Sequence, residues 1–306
     1  MWCDTPAGVI DSSSAASLKL PSRAAASNTL IACNEAFTAS PPFWTQSRFS
    51  IGKFYSSIEP VYSFVAVLAK RQHSHSTSLS VEPTMHTLLH IDASVRKTSN
   101  PNPDHNSISK RIAMQFVDKW RSAKSTDNYI YRDIGLNPPA FIDQDWIGAV
   151  FTPDDRKSSE QREKLALSDQ LFNELSQADV ILISSPMYNY GMPAPLKAWF
   201  DQVMRINKTF SFDLTRGDHP IEPLLSGKTL ILVTSCGEFG FGPGGEREHM
   251  NHLGPHIKTL GRYLGVESFY EITSEYQEFG DERHQESVAN ALKNAGLLAT
   301  DLASKA

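Results

Sequence analysis

The sequence predicts a doubly wound α/β domain, a five-stranded parallel sheet with helices on both faces, over residues 85–306. Three observations predict it. Composition changes sharply near residue 85, where Ser- and Ala-rich sequence punctuated by proline gives way to regular apolar patterning. Beyond that point short apolar runs alternate with amphipathic segments of helical length. Two of the runs, 180–184 and 229–234, are nearly continuous in Val, Ile and Leu, as strands buried on both faces are. Such alternation calls for parallel pairing through right-handed crossovers, because a parallel neighbour is reached only by crossing the sheet face.

Each element follows in order. Residues 87–91 are the first strand. After a long polar loop, 109–121 sets Ile112, Ala113, Phe116, Val117 and Trp120 on one helical face. Residues 129–132 are the second strand, and a loop carrying Pro138, Pro139, Trp146 and Pro153 leads to a helix near 158–177. There Leu165, Ser168, Leu171, Phe172 and Leu175 fall at helical spacing. The third strand is 180–184, and Pro195 opens a helix patterned by Leu196, Trp199, Phe200 and Val203. Residues 229–234 are the fourth strand. A glycine-rich loop, a helix near 247–264, a strand at 266–272 and a helix near 282–303 complete five strands alternating with five helices.

The chain has 306 residues, 40% apolar and 21% charged, too hydrophobic for a disordered chain. No run approaches the ~18 apolar residues of a membrane span. With 29 Lys and Arg against 34 Asp and Glu the formal charge is −5, which argues against nucleic acid or another polyanion held by bulk charge. Cys3, Cys33 and Cys236 are widely spaced and give neither a disulfide framework nor a CxxC clip, so a reducing, cytoplasmic setting is expected. Residues 1–84 read as a low-complexity, largely disordered extension, whose apolar run 61–69 is too short to cross a bilayer. Asp4 and Asp11 do not suit the acid-poor pattern of a mitochondrial presequence, and Met85 is an alternative natural start.

Ligands of doubly wound sheets bind beyond the carboxyl ends of the strands, which singles out loops 92–109, 185–194 and 235–248. The first gathers Ser94, Ser107 and Ser109 where a helix begins, an arrangement that suits a phosphate and equally suits a simple N-cap. The second packs Met187, Tyr188, Asn189, Tyr190, Gly191 and Met192 directly after a buried strand. Such a wall accepts a flat ring, with Asn189 and the backbone for its polar edges; it also serves as a roof for the core. The third has five glycines between 237 and 245, which lets backbone amides face a ligand or merely loosens a connection.

Other signals are set aside. Ser226-Gly227-Lys228-Thr229 imitates the end of a phosphate-binding P-loop, but Glu222 stands where a glycine is required and a strand follows. His249, His252 and His256 fall on one possible helical face, with no nearby cysteine to complete a zinc set. Cys236 follows a strand as some nucleophiles do, without an identifiable base or oxyanion motif.

Together these residues resemble the FMN-dependent NADH-azoreductases, flavodoxin-like NAD(P)H:quinone oxidoreductases, over roughly 85–306. Pro186-Met187-Tyr188-Asn189-Tyr190 is similar to the family's Pro-Met-Tyr-Asn-Phe, and the helix Leu196-Lys197-Ala198-Trp199-Phe200-Asp201 to its Leu-Lys-x-(Tyr/Trp)-(Phe/Ile)-Asp. Ser107-Ile108-Ser109 matches the Ser-x-Ser phosphate motif, with Ser94 the earlier serine and a longer loop between. Ser235-Cys236-Gly237-Glu238 stands where the family often has Ser-Arg-Gly-Gly.

The resemblance implies noncovalent FMN, with Ser94, Ser107, Ile108 and Ser109 about its phosphate. Pro186, Met187, Tyr188, Asn189 and Tyr190, with Ser235, Cys236, Gly237 and Glu238, would surround its isoalloxazine. It implies NADH or NADPH delivering hydride to flavin N5, then replacement by a quinone or azo compound in a ping-pong cycle that needs no nucleophilic side chain. It further implies a homodimer with the site at the subunit boundary, shaped by Trp146, Phe151 and residues 209–221. Two readings stand beside it: a flavodoxin-type electron carrier, for which a net charge of −5 gives no strongly acidic docking surface, and a flavin-free regulatory or scaffold protein.

Overall fold

The computed structural model describes residues 85–305, so the expectations for residues 1–84 lie outside the described residues. In chain order, β1 (Thr87–Asp92) and α1 (Ile108–Ala123) precede β2 (Asn128–Asp133), α2 (Gln144–Phe151), α3 (Ser159–Gln177), β3 (Val180–Pro186) and α4 (Ala194–Val203). A short hairpin, β4 (Phe210–Phe212) with β5 (Ile221–Pro223), leads to β6 (Lys228–Ser235), α5 (Gly254–Leu264), β7 (Val266–Ser274) and α6 (Glu282–Lys305). The five long strands pair in parallel in the order β2-β1-β3-β6-β7. The order reverses between β1 and β3, which is where a doubly wound sheet opens its ligand crevice.

Period-two alternation divides the strands between two cores. Leu88, Leu182, Ile231 and Val233 face Ile112, Phe116 and Trp120 of α1 and an alanine stripe of α6. Leu89, Ile91, Ile181, Ile183, Leu230 and Leu232 face α3, α4 and α5 through Leu171, Trp199, Phe200 and Ile257. Each such Leu, Ile or Phe contributes ~1.5–3 kcal/mol by leaving water, so β3, buried along its whole length, anchors both layers.

The structure differs from the sequence expectation in four places. A sixth helix, α2, occupies part of the proline-bearing segment read as loop; Asp143 caps it by accepting the Trp146 amide at 2.8 Å. The β4–β5 hairpin was not foreseen either. The helix expected near 247–264 starts only at Gly254, because Pro255 suits a first turn and not a helix interior, and the Asn251 carboxamide accepts the Leu253 and Gly254 amides. Finally, Ser185 and Pro186 belong to β3, in register with Thr234 and Ser235.

Lys228 opens β6 as expected of a strand start. Its ammonium donates to the Ala178 and Ser176 carbonyls, capping the end of α3 rather than reaching a phosphate. Among the described residues no helix is long and apolar enough to cross a membrane.

Candidate functional site

The first wall is the N-terminus of α1. Ser107 is the N-cap, its Oγ accepting the Lys110 amide at 3.3 Å, and its hydroxyl lies 3.4 Å from that of Ser109. No acidic residue sits in the first turn. A helix leaves its earliest amides without intrahelical acceptors, so those of Ile108 and Ser109 face outward with the helix dipole behind them. Ser94, Ser107 and Ser109 are all buried, and the 94–107 loop is held by Ser107 N donating to Lys97 O and by the Asn100–Asn106 bond. A hollow of about 700 Å³ opens beside this turn, bordered by Asn106, Ser107, Arg111, Gln277 and His284.

Across the β1/β3 switch lies the second wall. Tyr188 and Gly191 exchange backbone hydrogen bonds of 3.0 Å around Asn189 and Tyr190, whose φ values of 48° and 64° are both left-handed. That is the geometry of a two-residue mirror-image turn, one that Asn tolerates and Tyr rarely adopts. Met187 and Tyr188 are half-buried below it, while Asn189 and Tyr190 stand exposed at the tip.

The third wall is tied to the second. Met187 N donates to Ser235 O at 2.9 Å, His252 N to Tyr190 O at 2.9 Å, and the Tyr190 hydroxyl to Glu238 at 3.2 Å. That last bond holds the Tyr190 phenol above its usual range. Ser235 is buried at the strand end, and Cys236 N is taken by Ser274 O, so from 236–238 the Gly237 and Glu238 amides remain for a ligand. The glycine loop is pinned rather than loose: one Glu275 carboxylate oxygen accepts the amides of Gly240 and Phe241.

Cys236 is buried and borders a small hollow together with Met187, Thr234, Phe241 and Asn251. Burial pushes its thiol up to about 12, helped by the charges of Glu275 and Glu271, so it is neither a thiolate nor a nucleophile at neutral pH. The three histidines do not share a helix: His249 lies in a 3-10 turn, His252 in a connection and His256 in α5. Among the described residues no group of His, Cys, Asp and Glu could hold a metal ion.

Over residues 86–297 the sequence matches a family profile described as flavodoxin-like fold. It is 67% identical over 218 residues to FMN-dependent NADH:quinone oxidoreductase 2 of Idiomarina loihiensis, spanning 71% of this chain and 91% of that protein. The chain belongs to the flavodoxin-like family of FMN-dependent NADH:quinone oxidoreductases. A relative of the same name in Colwellia psychrerythraea is 64% identical over 218 residues, 71% of this chain and 100% of its own length. An FMN-dependent NADH-azoreductase from Bacillus anthracis, solved in complex with FMN, superposes with a TM-score of 0.62 over 72% of this chain and 100% of that one. At 18% identity this likeness bears on the fold. Family and fold thus agree with the resemblance drawn from Ser-x-Ser and Pro-Met-Tyr-Asn.

Two contributors escaped the sequence reading. Gly135, after β2, packs against the backbone of Ser94. Arg247 brings a guanidinium to the third wall: it pairs with Glu238 at 3.4 Å and lies 4.5 Å over the Phe239 ring. A glycine just past a strand end was a usable signal for the first; nothing local marked the second.

Proposed function

We propose that this chain is an FMN-dependent NADH:quinone oxidoreductase and that residues 85–306 form its FMN-binding catalytic domain. The observation that carries this reading is the pairing, across one strand switch, of a serine-lined helix N-terminus with a left-handed aromatic turn, in a chain 67% identical to a relative of that name. The donor set fits the cofactor. Ser94, Ser107 and Ser109 hydroxyls and the Ile108 and Ser109 amides suit a phosphate dianion, and Pro186 to Tyr190 suit the side of a flat ring. Ser235, Cys236, Gly237 and Glu238 would border its polar edge, the last two with amides to donate.

When bound, FMN would supply two-electron exchange between NADH and a quinone. The chain's own residues bind and orient. The buried Cys236 thiol offers no attachment point, which supports noncovalent binding. NADH is the expected donor, with NADPH as the alternative, and azo compounds are expected as further acceptors because a flat open wall selects for planarity more than for one functional group. Donor and acceptor occupy this wall in turn.

A homodimer fits the exposed apolar surface of α2 and the hairpin region, where Phe151 is 69% and Leu214 74% exposed. Trp146 is itself buried, its Nε1 donating to Gln202 at 3.0 Å, so it would shape a subunit boundary only by fixing α2. The cytoplasmic setting rests on cysteine usage.

Initial rates at varied NADH, NADPH and a benzoquinone or azo dye test the cycle. Parallel double-reciprocal lines and a preference for NADH are expected; lines that converge on one point contradict exchange of donor and acceptor through one pocket.

A further inference from the structure

Beneath the first turn of α1 lies a partly buried polar cluster, in which His90, Asp92, Lys110 and Ser184 are buried and Tyr131 is 47% exposed. On the α1 side of the sheet each strand grows polar toward its carboxyl end: Leu88, His90 and Asp92 on β1, Tyr129, Tyr131 and Asp133 on β2, Leu182 and Ser184 on β3. The Asp92 carboxylate accepts from Ser184 Oγ at 2.5 Å and from the Tyr131 hydroxyl at 2.7 Å, with His90 Nε2 at 2.9 Å. The same Tyr131 hydroxyl stands 3.4 Å from Asp133, which accepts Lys110 Nζ at 2.6 Å. Lys110 is 1% exposed, and its amide is the one that donates to Ser107 Oγ.

Two ties therefore meet at β2: the Tyr131 hydroxyl donates its one hydrogen to Asp92 and joins β2 to β1, and the Lys110–Asp133 pair joins the first turn of α1, with its cap Ser107, to β2. Stability alone does not account for them, since well-packed apolar side chains serve a buried layer at least as well as ion pairs do. Lys110 is tied at both ends, by its amide to the cap serine and by its ammonium to the end of β2. A loop so tied loses less freedom when a ligand arrives.

We propose that Lys110 and Tyr131 are positioning residues for the phosphate end of the cofactor site, locking Ser107 and the first turn of α1 to the ends of β1 and β2. The proposal rests on the FMN reading above. It predicts selective damage: the cluster touches the serine loop and not residues 187–190 or 236–238.

The full-length protein, stripped of flavin, is titrated with FMN and with riboflavin, which lacks the phosphate, in the native form and as Lys110→Met and Tyr131→Phe. Lys110→Met, which removes a buried charged contact, is expected to weaken FMN about tenfold and Tyr131→Phe, which removes a part-buried hydroxyl contact, about threefold, with riboflavin changed less than about twofold. Hydrogen exchange in the flavin-free protein should quicken in peptides spanning 105–112 and not in those spanning 187–191. If Lys110→Met does not fold, Tyr131→Phe, which loses a single hydroxyl, carries the same expectation. Unchanged FMN affinity in the folded variants overturns the proposal, as does an equal loss for both flavins with exchange quickening throughout. A native protein that binds neither flavin overturns the FMN reading and this proposal with it; native binding with undamaged variants overturns this proposal alone.

Discussion

Gly135 rests against Ser94 so closely that a Cβ on it would overlap the Ser94 carbonyl oxygen, and its amide donates to Asp92 O at 3.0 Å. The turn after β2 thus sets the position of the turn after β1. Gly135→Ala must push Ser94 outward. It is expected to destabilise the fold by about 1–3 kcal/mol, as overpacking does, and to weaken FMN binding. Chemical denaturation and flavin titration measure the two effects separately.

At the tip of the second wall, backbone and side chain can be separated at Asn189, whose φ is 48°. Asn189→Gly keeps the turn, and its stability should lie within about 0.5 kcal/mol of native. Asn189→Val forces a branched side chain into the left-handed region and should cost about 1–2 kcal/mol. If the carboxamide meets the ring edge, both variants bind FMN more weakly; thermal melts with and without flavin decide.

For Cys236, a buried thiol raised to about 12 predicts inertness. Iodoacetamide at pH 8 should leave it unmodified in the folded protein and alkylate it after unfolding, as read by peptide mass spectrometry. Cys236→Ala should leave both half-reactions within about threefold of native, since no step uses the sulfur. Rapid native-state labelling contradicts this.

Asp92 gives the pH dependence. Burial acts to raise its carboxyl, but the His90 contact and the Ser184 and Tyr131 hydroxyls outweigh it and hold the carboxyl below its ordinary 3.8. A depressed folded value contributes stability above the unfolded value, lost as pH falls through the folded one. Asp92→Asn should therefore be less stable than native at pH 7, with the deficit narrowing below pH 3.8. Denaturation midpoints across that window test the sign.

The parts of this fold legible in sequence are those governed by local pattern. The Val-Ile-Leu-Ile run of β3 announces burial on both faces, and the strand-end rule then picks out Ser107, Met187 and Gly237 without any knowledge of strand order. Helix α2 was hidden because its flanking prolines read as loop and its eight residues give barely two turns of pattern. The start of α5 was masked by apolar and histidine spacing that extends through the preceding 3-10 turn. Least legible were the long-range ties. Lys110 and Asp133 lie 23 residues apart, and a lysine in the first turn of an amphipathic helix reads as solvated until sheet register brings Asp133 beneath it. Gly135 is an ordinary turn residue in sequence; only the β1–β2 pairing shows what a side chain there would strike.

The most direct test is an anaerobic spectral titration of the purified full-length protein reconstituted with FMN, NADH being added first and a quinone last. A flavin band that bleaches with about one equivalent of NADH and returns with about one equivalent of quinone is the predicted result, as two-electron exchange requires. A folded protein that stays colourless in added FMN, or whose flavin band ignores NADH, contradicts the account at its centre.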